Sequence, residues 1–263
     1  MKPTLVWAGL KLTAYGVTHP GRVRPNNEDA LLWDVGSGLF MVADGMGGHQ
    51  AGEVASKMAV ETVQSFLEAS RGDHDLTWPF GFDPALSMNA NRLVTAVRLA
   101  NRKVYQAGED KPDMAGMGTT IVVALVDGAT LTFCGVGDSR IYLLSGTALQ
   151  QITHDDSWVA TVLARDPEFD RAQLAHHPMR HVLTNVLGAR EDTEVEIGER
   201  PLAPGEQLLL CSDGLYGGLD DAAMQILLAG PGKLDELGER LVATSLERGG
   251  TDNITAVLVR ASA

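Results

Sequence analysis

Residues 119–144 have the sequence TTIVVALVDGATLTFCGVGDSRIYLL, and this stretch decides the fold class. It contains three short runs rich in β-branched residues, at 119–126, 130–136 and 141–144, which are separated by Asp-Gly and Gly-Asp turns. Turns of this length join neighbouring antiparallel strands. Because the runs are almost continuously apolar, we expect both faces of the resulting sheet to be covered.

Helical patterns and further apolar strands lie on both sides of this stretch. Apolar residues at helical spacing predict helices over 52–69, 85–107, 220–228 and 234–247, and short apolar runs predict strands within 1–20 and at 39–43, 206–211 and 253–259. Strands, then helices, then strands again indicate an α+β fold with antiparallel sheets. No change of composition marks a boundary, so we expect residues 1–263 to form a single domain.

Acidic residues outnumber basic residues by 34 to 21, which gives a formal net charge of −13. This charge disfavours a nucleic-acid or anionic-membrane binder and suits a protein that binds cations. Hydrophobic residues make up 44% of the chain, which excludes wholesale disorder, yet no apolar stretch reaches the roughly 18 residues of a membrane-spanning helix. We therefore expect a cytoplasmic protein, in which Cys134 and Cys211 are buried thiols and not a disulfide.

Four acidic residues stand at the ends of predicted strands, and they are Asp44, Asp138, Asp213 and Asp252. Each one alone is more typical of a turn, because Asp-Gly pairs are a common turn signal. An acid at the mouth of a buried strand is costly unless it is paired or binds a metal, so four such ends together predict one shared site. Carboxylates without a Cys/His cluster indicate a hard cation, Mg²⁺ or Mn²⁺.

The segment 21–29, GRVRPNNED, places arginine beside acidic residues. A guanidinium group recognises phosphate through two parallel hydrogen bonds. From this segment alone, a surface ion pair in a turn is the simpler interpretation. Next to a divalent-metal site, however, Arg24 becomes a candidate phosphate-binding residue.

Six short motifs occur along the chain: RPNNED (24–29), VADGMGGH (42–49), GTT (118–120), GVGDSR (135–140), CSDGL (211–215) and GGTDNIT (249–255). Through these motifs, which stand in the family's order, the chain resembles over residues 12–260 the PP2C-type (PPM) metal-dependent protein serine/threonine phosphatases, in their bacterial branch. Each motif alone is weakly specific, whereas six in order over most of the chain form a specific signal.

The resemblance implies a four-layer α-β-β-α sandwich of two antiparallel sheets flanked by helices. It also implies two Mn²⁺ or Mg²⁺ ions where the sheets meet, and a weaker third ion as in bacterial members. Arg24 and Asp44 become the catalytic candidates, with Arg24 binding the substrate phosphate. The implied metal ligands are Asp44 bridging two ions, the Gly45 carbonyl on one of them, Asp213 and Asp252 on the other, Asp29 through metal-bound water beside Glu28, and Asp138 on the third ion.

The implied reaction is the hydrolysis of phosphoserine and phosphothreonine on proteins. Two cations acidify a bridging water, and the resulting hydroxide attacks phosphorus without a covalent phosphoenzyme. The substrates would be phosphorylated proteins made by a Ser/Thr kinase, and the enzyme is expected to be a monomer. A non-catalytic phosphoprotein-binding regulator on the same fold and a phosphohydrolase of small molecules stay open as alternatives. The negative charge disfavours a nuclease.

Two positions depart from the family pattern. Met46 stands where eukaryotic members have a histidine that is proposed as the general acid, so the proton donor is unassigned here. His49 and a metal-bound water are both open candidates for that role. The second departure is Asp155-Asp156-Ser157, which stands where the family commonly has Asp-His-Ser.

Residues 155–188 match the mobile flap that borders the active site in bacterial members. The loops 71–84 and 155–180 are therefore expected to select the protein substrate. Four histidines lie in or beside the flap, and we interpret them as flap surface, with substrate contact as the alternative: His154, His176, His177 and His181.

Overall fold

Two six-stranded antiparallel sheets pack face to face in the structure, a computed structural model that describes residues 6–7, 10–48, 50–72, 77–170, 173–174 and 177–263. In chain order the strands are β1 (Val6–Trp7), β2 (Leu10–His19), β3 (Asp29–Asp34), β4 (Leu39–Met46), β5 (Gly118–Thr119), β6 (Ile121–Asp127), β7 (Thr130–Val136), β8 (Arg140–Ser145), β9 (Ala148–Gln151), β10 (Glu196–Pro201), β11 (Gln207–Cys211) and β12 (Ile254–Ser262). The α-helices among the described residues are α1 (Ala51–Ala69), α2 (Met88–Asp110), α3 (Trp158–Arg165), α4 (Asp213–Tyr216), α5 (Asp221–Ala229) and α6 (Leu234–Glu247).

The strand order shows where the chain passes between the sheets. One sheet has the order β1-β2-β12-β11-β8-β9, and the other has the order β10-β7-β6-β4-β3 with β5 paired to β4. The predicted hairpin of β6 and β7 is present, with paired residues from Ile121↔Val136 to Asp127↔Thr130. Strand β8, in contrast, belongs to the other sheet, so the Gly-Asp connection before it is a crossover and not a hairpin turn.

An apolar layer fills the space between the two sheets. Phe40 and Val42 of β4 belong to this layer together with Val257 of β12, whereas Met41 and Ala43 point the other way and pack against α1 and α2. This alternation is the period of two that a strand imposes on its side chains. A third cluster packs α5 and α6 against the outer face of the sheet that contains β8, β11 and β12. The layers therefore follow the order α-β-β-α that the resemblance implied.

Several element boundaries differ from the predicted ones. Helix α2 begins at Met88 and not at 85, because Ser87 Oγ accepts a hydrogen bond from the Ala90 N–H at 3.1 Å and caps the helix. Strands β3, β9 and β10 lie outside the predicted strands. The predicted loop 71–84 has neither helix nor strand in its described residues, 71–72 and 77–84.

Two further expectations concern the state of the two cysteines and the presence of a membrane-spanning helix. Cys134 and Cys211 are free and buried, as the apolar runs around them predicted. No helix in the described ranges combines the length and the apolar character that crossing a bilayer needs.

Truncating Phe40 to alanine tests the layer between the sheets. Phe40 is completely buried, so Phe40→Ala should lower the free energy of unfolding by about 3–5 kcal/mol. Urea unfolding followed by circular dichroism measures this loss. Ile226→Ala is the matched control, because Ile226 is 72% exposed and its truncation should change stability by no more than about 0.5 kcal/mol. Equal losses in the two variants would contradict the assignment of Phe40 to the core.

Candidate active site

The four acidic residues at the predicted strand ends line a single cavity of about 1040 Å³. Asp44 lies near the end of β4, Asp138 in the crossover from β7 to β8, Asp213 directly after β11 and Asp252 shortly before β12. The cavity therefore opens where the two sheets meet. Gly45, the fifth predicted ligand position, also lines it.

Asp29 lies behind Asp44, in a buried position beside the cavity. The antiparallel register of β3 and β4 pairs Asp29 with Asp44. The Oδ2 atom of Asp29 accepts hydrogen bonds from Ser212 Oγ at 2.8 Å and from Thr255 Oγ1 at 2.6 Å. Because Thr255 belongs to β12, this carboxylate is held by groups from the other sheet and ties the two sheets together.

The main chain of Asp44 is fully hydrogen-bonded. Its N–H donates to Thr120 Oγ1 at 3.0 Å, and its carbonyl oxygen accepts from the Thr120 N–H and from Thr119 Oγ1, both at 2.9 Å. The carboxylate is consequently the part of Asp44 that is available to a ligand in the cavity.

Two carboxylate oxygens in this cluster are buried without a hydrogen-bond partner among the described residues, namely Asp29 Oδ1 and Asp213 Oδ1. A buried polar atom without a partner costs about 1–3 kcal/mol, and more if it is charged. Oxygens of this kind are the donors that hard divalent cations prefer. The donor set therefore fits Mn²⁺ or Mg²⁺ better than it fits a softer metal.

The gathered acids also perturb one another's ionisation. Burial raises the pKa of Asp44, Asp29 and Asp213, and the negative charges of neighbouring carboxylates raise it further. The pKa of Asp138 rises to about 7, mainly through burial and then through the charges of Asp213 and Asp155. A bound cation would favour the ionised forms and reverse these shifts.

Glycine residues allow the segments that carry these acids to approach each other. A Cβ atom added at Gly45 would lie 2.0 Å from the carbonyl oxygen of Gly52, at the start of α1. A Cβ atom added at Gly214 would lie 2.0 Å from the carbonyl oxygen of Asn253. Any side chain at either position would push the acid-bearing segments apart.

Asn253 is a residue whose structural part in the site the motifs alone did not reveal. Its Oδ1 atom accepts from the Glu28 N–H at 2.8 Å, and its Nδ2 group donates to the carbonyl oxygens of Pro20 and Asn26, both at 2.9 Å. It therefore fixes the segment 20–28 against the segment that carries Asp252. The sequence gives no signal for these bonds, because their partners lie at least 225 residues away along the chain.

Arg24 lies on the wall of the cavity with its side chain about half exposed. Its Nη2 group donates to Asp252 Oδ2 at 2.7 Å, and this hydrogen bond is the main reason why the pKa of Arg24 is raised. The charges of Asp44 and Glu28 act in the same direction. The ion pair and the position at a candidate phosphate site, which the sequence offered as alternatives, thus occur together.

The carboxylates are gathered, but they do not form a finished coordination sphere. In the described part of the chain, no three His, Cys, Asp or Glu side chains are arranged so that they could hold an ion as they stand. Both carboxylate oxygens of Asp252 already accept hydrogen bonds, Oδ2 from Arg24 at 2.7 Å and Oδ1 from the Asn253 N–H at 2.9 Å.

The end of the predicted flap, residues 155–188, lines the cavity. Leu183 and Val186 line the cavity, and so does His181. His177 instead stacks on Trp158, with ring centroids 4.2 Å apart.

The remaining candidate positions for flap contacts and for proton transfer are His154, Met46, His49 and His176. His154, outside the cavity lining, pairs with Glu196 at 2.5 Å and is largely exposed. Met46, the position of the eukaryotic histidine, lines the cavity. His49 and His176 lie outside the described residues.

A thiol nucleophile is excluded by the surroundings of Cys134. Cys134 and Arg140 have the Cys-x₅-Arg spacing of thiol phosphatases in the stretch CGVGDSR. The cysteine, however, lies inside β7, and burial raises the pKa of its thiol to about 12. A reactive cysteine needs a lowered pKa and access to the substrate, and Cys134 has neither.

The raised pKa values predict that, in EDTA, the protein becomes less stable as the pH rises. The folded-state pKa of Asp138 is about 7 against an ordinary value of 3.8, so the folded protein binds more protons than the unfolded chain between these values. The free energy of unfolding therefore falls as the pH rises through this window. Thermal unfolding from pH 5 to pH 8 should show a falling midpoint, with a shallower fall in Asp138→Asn. Identical slopes for the two proteins would contradict the shift.

Comparison with known proteins places this geometry in a family. The sequence profile described as "Protein phosphatase 2C" matches residues 16–258. The serine/threonine phosphatase stp of Listeria innocua is 32% identical over 255 residues, which cover 92% of this chain and 93% of that protein. The crystal structure of the serine/threonine phosphatase PstP/Ppp of Mycobacterium tuberculosis has 34% identity and a TM-score of 0.81, and the match covers 95% of this chain and 98% of that one.

A second solved structure bears on the ligand set. The catalytic domain of the serine threonine protein phosphatase PstP, in complex with two manganese ions, is 33% identical with a TM-score of 0.80, and the match covers 97% of this chain and 100% of that one. Sequence profile, curated relatives and solved structures agree with the resemblance carried by the six motifs. The chain belongs to the protein phosphatase 2C family.

Proposed function

We propose that this chain removes phosphate from phosphoserine and phosphothreonine on proteins, in a reaction that depends on Mn²⁺ or Mg²⁺ and forms no covalent phosphoenzyme. The observation that carries the proposal is the convergence of Asp44, Asp138, Asp213 and Asp252 with Arg24 on one cavity. Family relatives named serine/threonine phosphatases support it, and so does the PstP structure with two manganese ions.

The proposed ligands follow the cluster of acids. Asp44 would bridge two ions, with the Gly45 carbonyl on one and with Asp213 and Asp252 on the other, while Asp138 would hold a third. When bound, the cations supply an acidified water as the nucleophile and neutralise charge on the phosphoryl group. Asp29, which pairs with Asp44 in register and whose Oδ1 atom is buried without a hydrogen-bond partner among the described residues, would act through metal-bound water.

Arg24 is proposed to bind the oxygens of the substrate phosphate. Its guanidinium lies on the cavity wall and is exposed enough to be reached from solvent. Its present partner is the carboxylate of Asp252, an oxyanion with a geometry similar to one edge of a phosphate. Neutralising the phosphoryl oxygens from this side favours attack on phosphorus and departure of the serine or threonine oxygen.

The leaving oxygen needs a proton, and Met46 cannot supply one. This side chain lines the cavity at the position where eukaryotic members carry histidine. The candidate proton donors are therefore the two that the sequence offers, His49 and a metal-bound water.

The non-catalytic alternative has less support. A phosphoprotein-binding regulator on this fold would need no gathered carboxylates, whereas this chain keeps all four acids around the cavity together with Arg24. We further propose a single domain over 1–263 with residues 155–188 as its flap. We propose that the protein acts on phosphoproteins as a cytoplasmic monomer. We also propose that it binds neither nucleic acid nor membrane, in keeping with its charge of −13.

Metal removal tests the proposed reaction. The purified protein should hydrolyse p-nitrophenyl phosphate and a phosphothreonine peptide with Mn²⁺ or Mg²⁺, and EDTA should abolish both activities. Asp213→Asn should lower kcat by more than about a hundredfold, since even indirect partners of metal ligands cost about 10–100-fold. Asp235→Asn, an exposed change at the start of α6, is the matched control and should leave kcat unchanged. Activity that persists in EDTA would rule out the metal-dependent mechanism.

Removing the Arg24 guanidinium tests the phosphate-binding assignment. Arg24→Ala should raise KM roughly tenfold or more, because hydrogen bonds to charged groups contribute about 1.5–3 kcal/mol. Initial rates over a range of phosphopeptide concentrations give KM and kcat separately. Arg22→Ala removes a neighbouring exposed arginine that does not line the cavity, and its KM should match the unmodified protein. An unchanged KM in Arg24→Ala would place Arg24 outside the substrate site.

A further inference from the structure

Asp156 holds the crossover that carries Asp138. Its Oδ2 atom accepts a hydrogen bond from the Gly137 N–H at 3.1 Å, and its own N–H donates to the Gly137 carbonyl at 2.8 Å. Asp156 is therefore hydrogen-bonded to both the N–H and the carbonyl of Gly137, the residue that precedes Asp138. Asp156 itself is outside the cavity lining, so its effect on the site has to pass through this crossover.

Other contacts also restrict the main chain of the crossover at residues 137–139. Gly137 has a φ of 97°, and an added Cβ atom would lie 2.6 Å from Thr120 Cγ2. The next residues are bonded as well: the Asp138 carbonyl accepts from Tyr216 Oη at 3.0 Å, and Ser139 Oγ is 2.7 Å from Thr120 Oγ1. The main chain around Asp138 is therefore fixed on both sides, by Asp156 at Gly137 and by Tyr216 and Thr120 at Asp138 and Ser139.

The same carboxylate of Asp156 also holds the end of the flap. Its Oδ2 atom accepts a second hydrogen bond from Asn185 Nδ2 at 2.9 Å, and its carbonyl oxygen accepts from the Thr184 N–H at 2.8 Å. Leu183 and Val186, on either side of this pair, line the cavity. One oxygen atom is thus shared between the Asp138 crossover and the flap.

We propose that Asp156 is a positioning residue that couples cation binding at Asp138 to the order of the flap end, residues 182–187. The inference rests on the proposed function in so far as Asp138 is taken as a cation ligand. A cation that fixes Asp138 also fixes Gly137, and through Asp156 it stabilises the segment that lines the cavity. By linkage, a well-ordered flap end strengthens cation binding by the same factor.

Asp156 occupies one of the positions at which this chain departs from the family's Asp-His-Ser pattern. The neighbouring Asp155 forms an ion pair with Arg140, the first residue of β8, at 2.7 Å. Asp155 consequently anchors a strand, whereas Asp156 joins two segments that both border the cavity.

The coupling is tested by hydrogen exchange and calorimetry on the whole protein, with and without saturating MnCl₂. Asp156→Ala removes the shared acceptor. Asp156→Asn keeps an oxygen that can accept both hydrogen bonds. Asn185→Ala leaves Gly137 bonded to Asp156 and removes the side-chain link to the flap end, together with the hydrogen bonds of Asn185 to Glu194 and Thr193. Asp166→Asn is the matched control, because this flap carboxylate accepts only a local bond from the Glu168 N–H among the hydrogen bonds described.

In the unmodified protein and in Asp166→Asn, Mn²⁺ should slow amide exchange at 182–187. Asp156→Ala should lose this slowing, and its weakest Mn²⁺ site should bind roughly tenfold less tightly. Asp156→Asn should restore both properties. Asn185→Ala should lose the slowing and should bind Mn²⁺ more weakly by the same coupling factor, which tests the coupling even if Asp156→Ala does not fold.

Two results would overturn the inference: no Mn²⁺-dependent slowing in the unmodified protein, or slowing that survives in Asn185→Ala. Hydrolysis of p-nitrophenyl phosphate, measured in parallel, separates this inference from the proposed function. Slowing without turnover would refute the phosphatase proposal alone. Turnover without slowing would refute the coupling alone.

Discussion

Electrostatic repulsion among carboxylates at one end of the sandwich is the constraint on which the rest of this structure depends. Asp29 and Asp44 are register partners on adjacent strands, and Asp213 and Asp252 arrive from the other sheet. Burial and like charge raise the pKa of these acids, which shows that their ionised forms are disfavoured where they stand. Such a cluster persists only if the surrounding fold is stable without it, or if cations bind there.

The sandwich supplies that stability. The layer between the sheets and the two helix-covered faces are apolar almost without interruption, so the acids occupy only the edge where the sheets meet. Hydrogen bonds across this edge then fix the acids individually, as Ser212 and Thr255 do for Asp29. The close approaches at Gly45 and Gly214 keep the segments that carry the acids next to one another.

Much of this arrangement could be predicted from the sequence, and the exceptions have physical causes. Strongly apolar runs such as 121–127 and 207–211 identified their strands, whereas β10 is a charged edge strand, EIGERP, whose pattern gives no such signal. The acids were predicted because each one interrupts an apolar run. The roles of Asn253 and Asp156 could not be predicted, because their hydrogen bonds join segments that only the tertiary fold brings together.

Arg24 shows how the cluster connects cation binding to phosphate binding. Its guanidinium is the group that offsets the charge of Asp252, and it is also the group on the cavity wall that suits a phosphate. If Asp252 binds a cation as proposed, that cation would replace Arg24 as its partner and leave the guanidinium free for another anion. Under the proposed function, the excess of negative charge therefore implies an order of binding in which the cation precedes the phosphate.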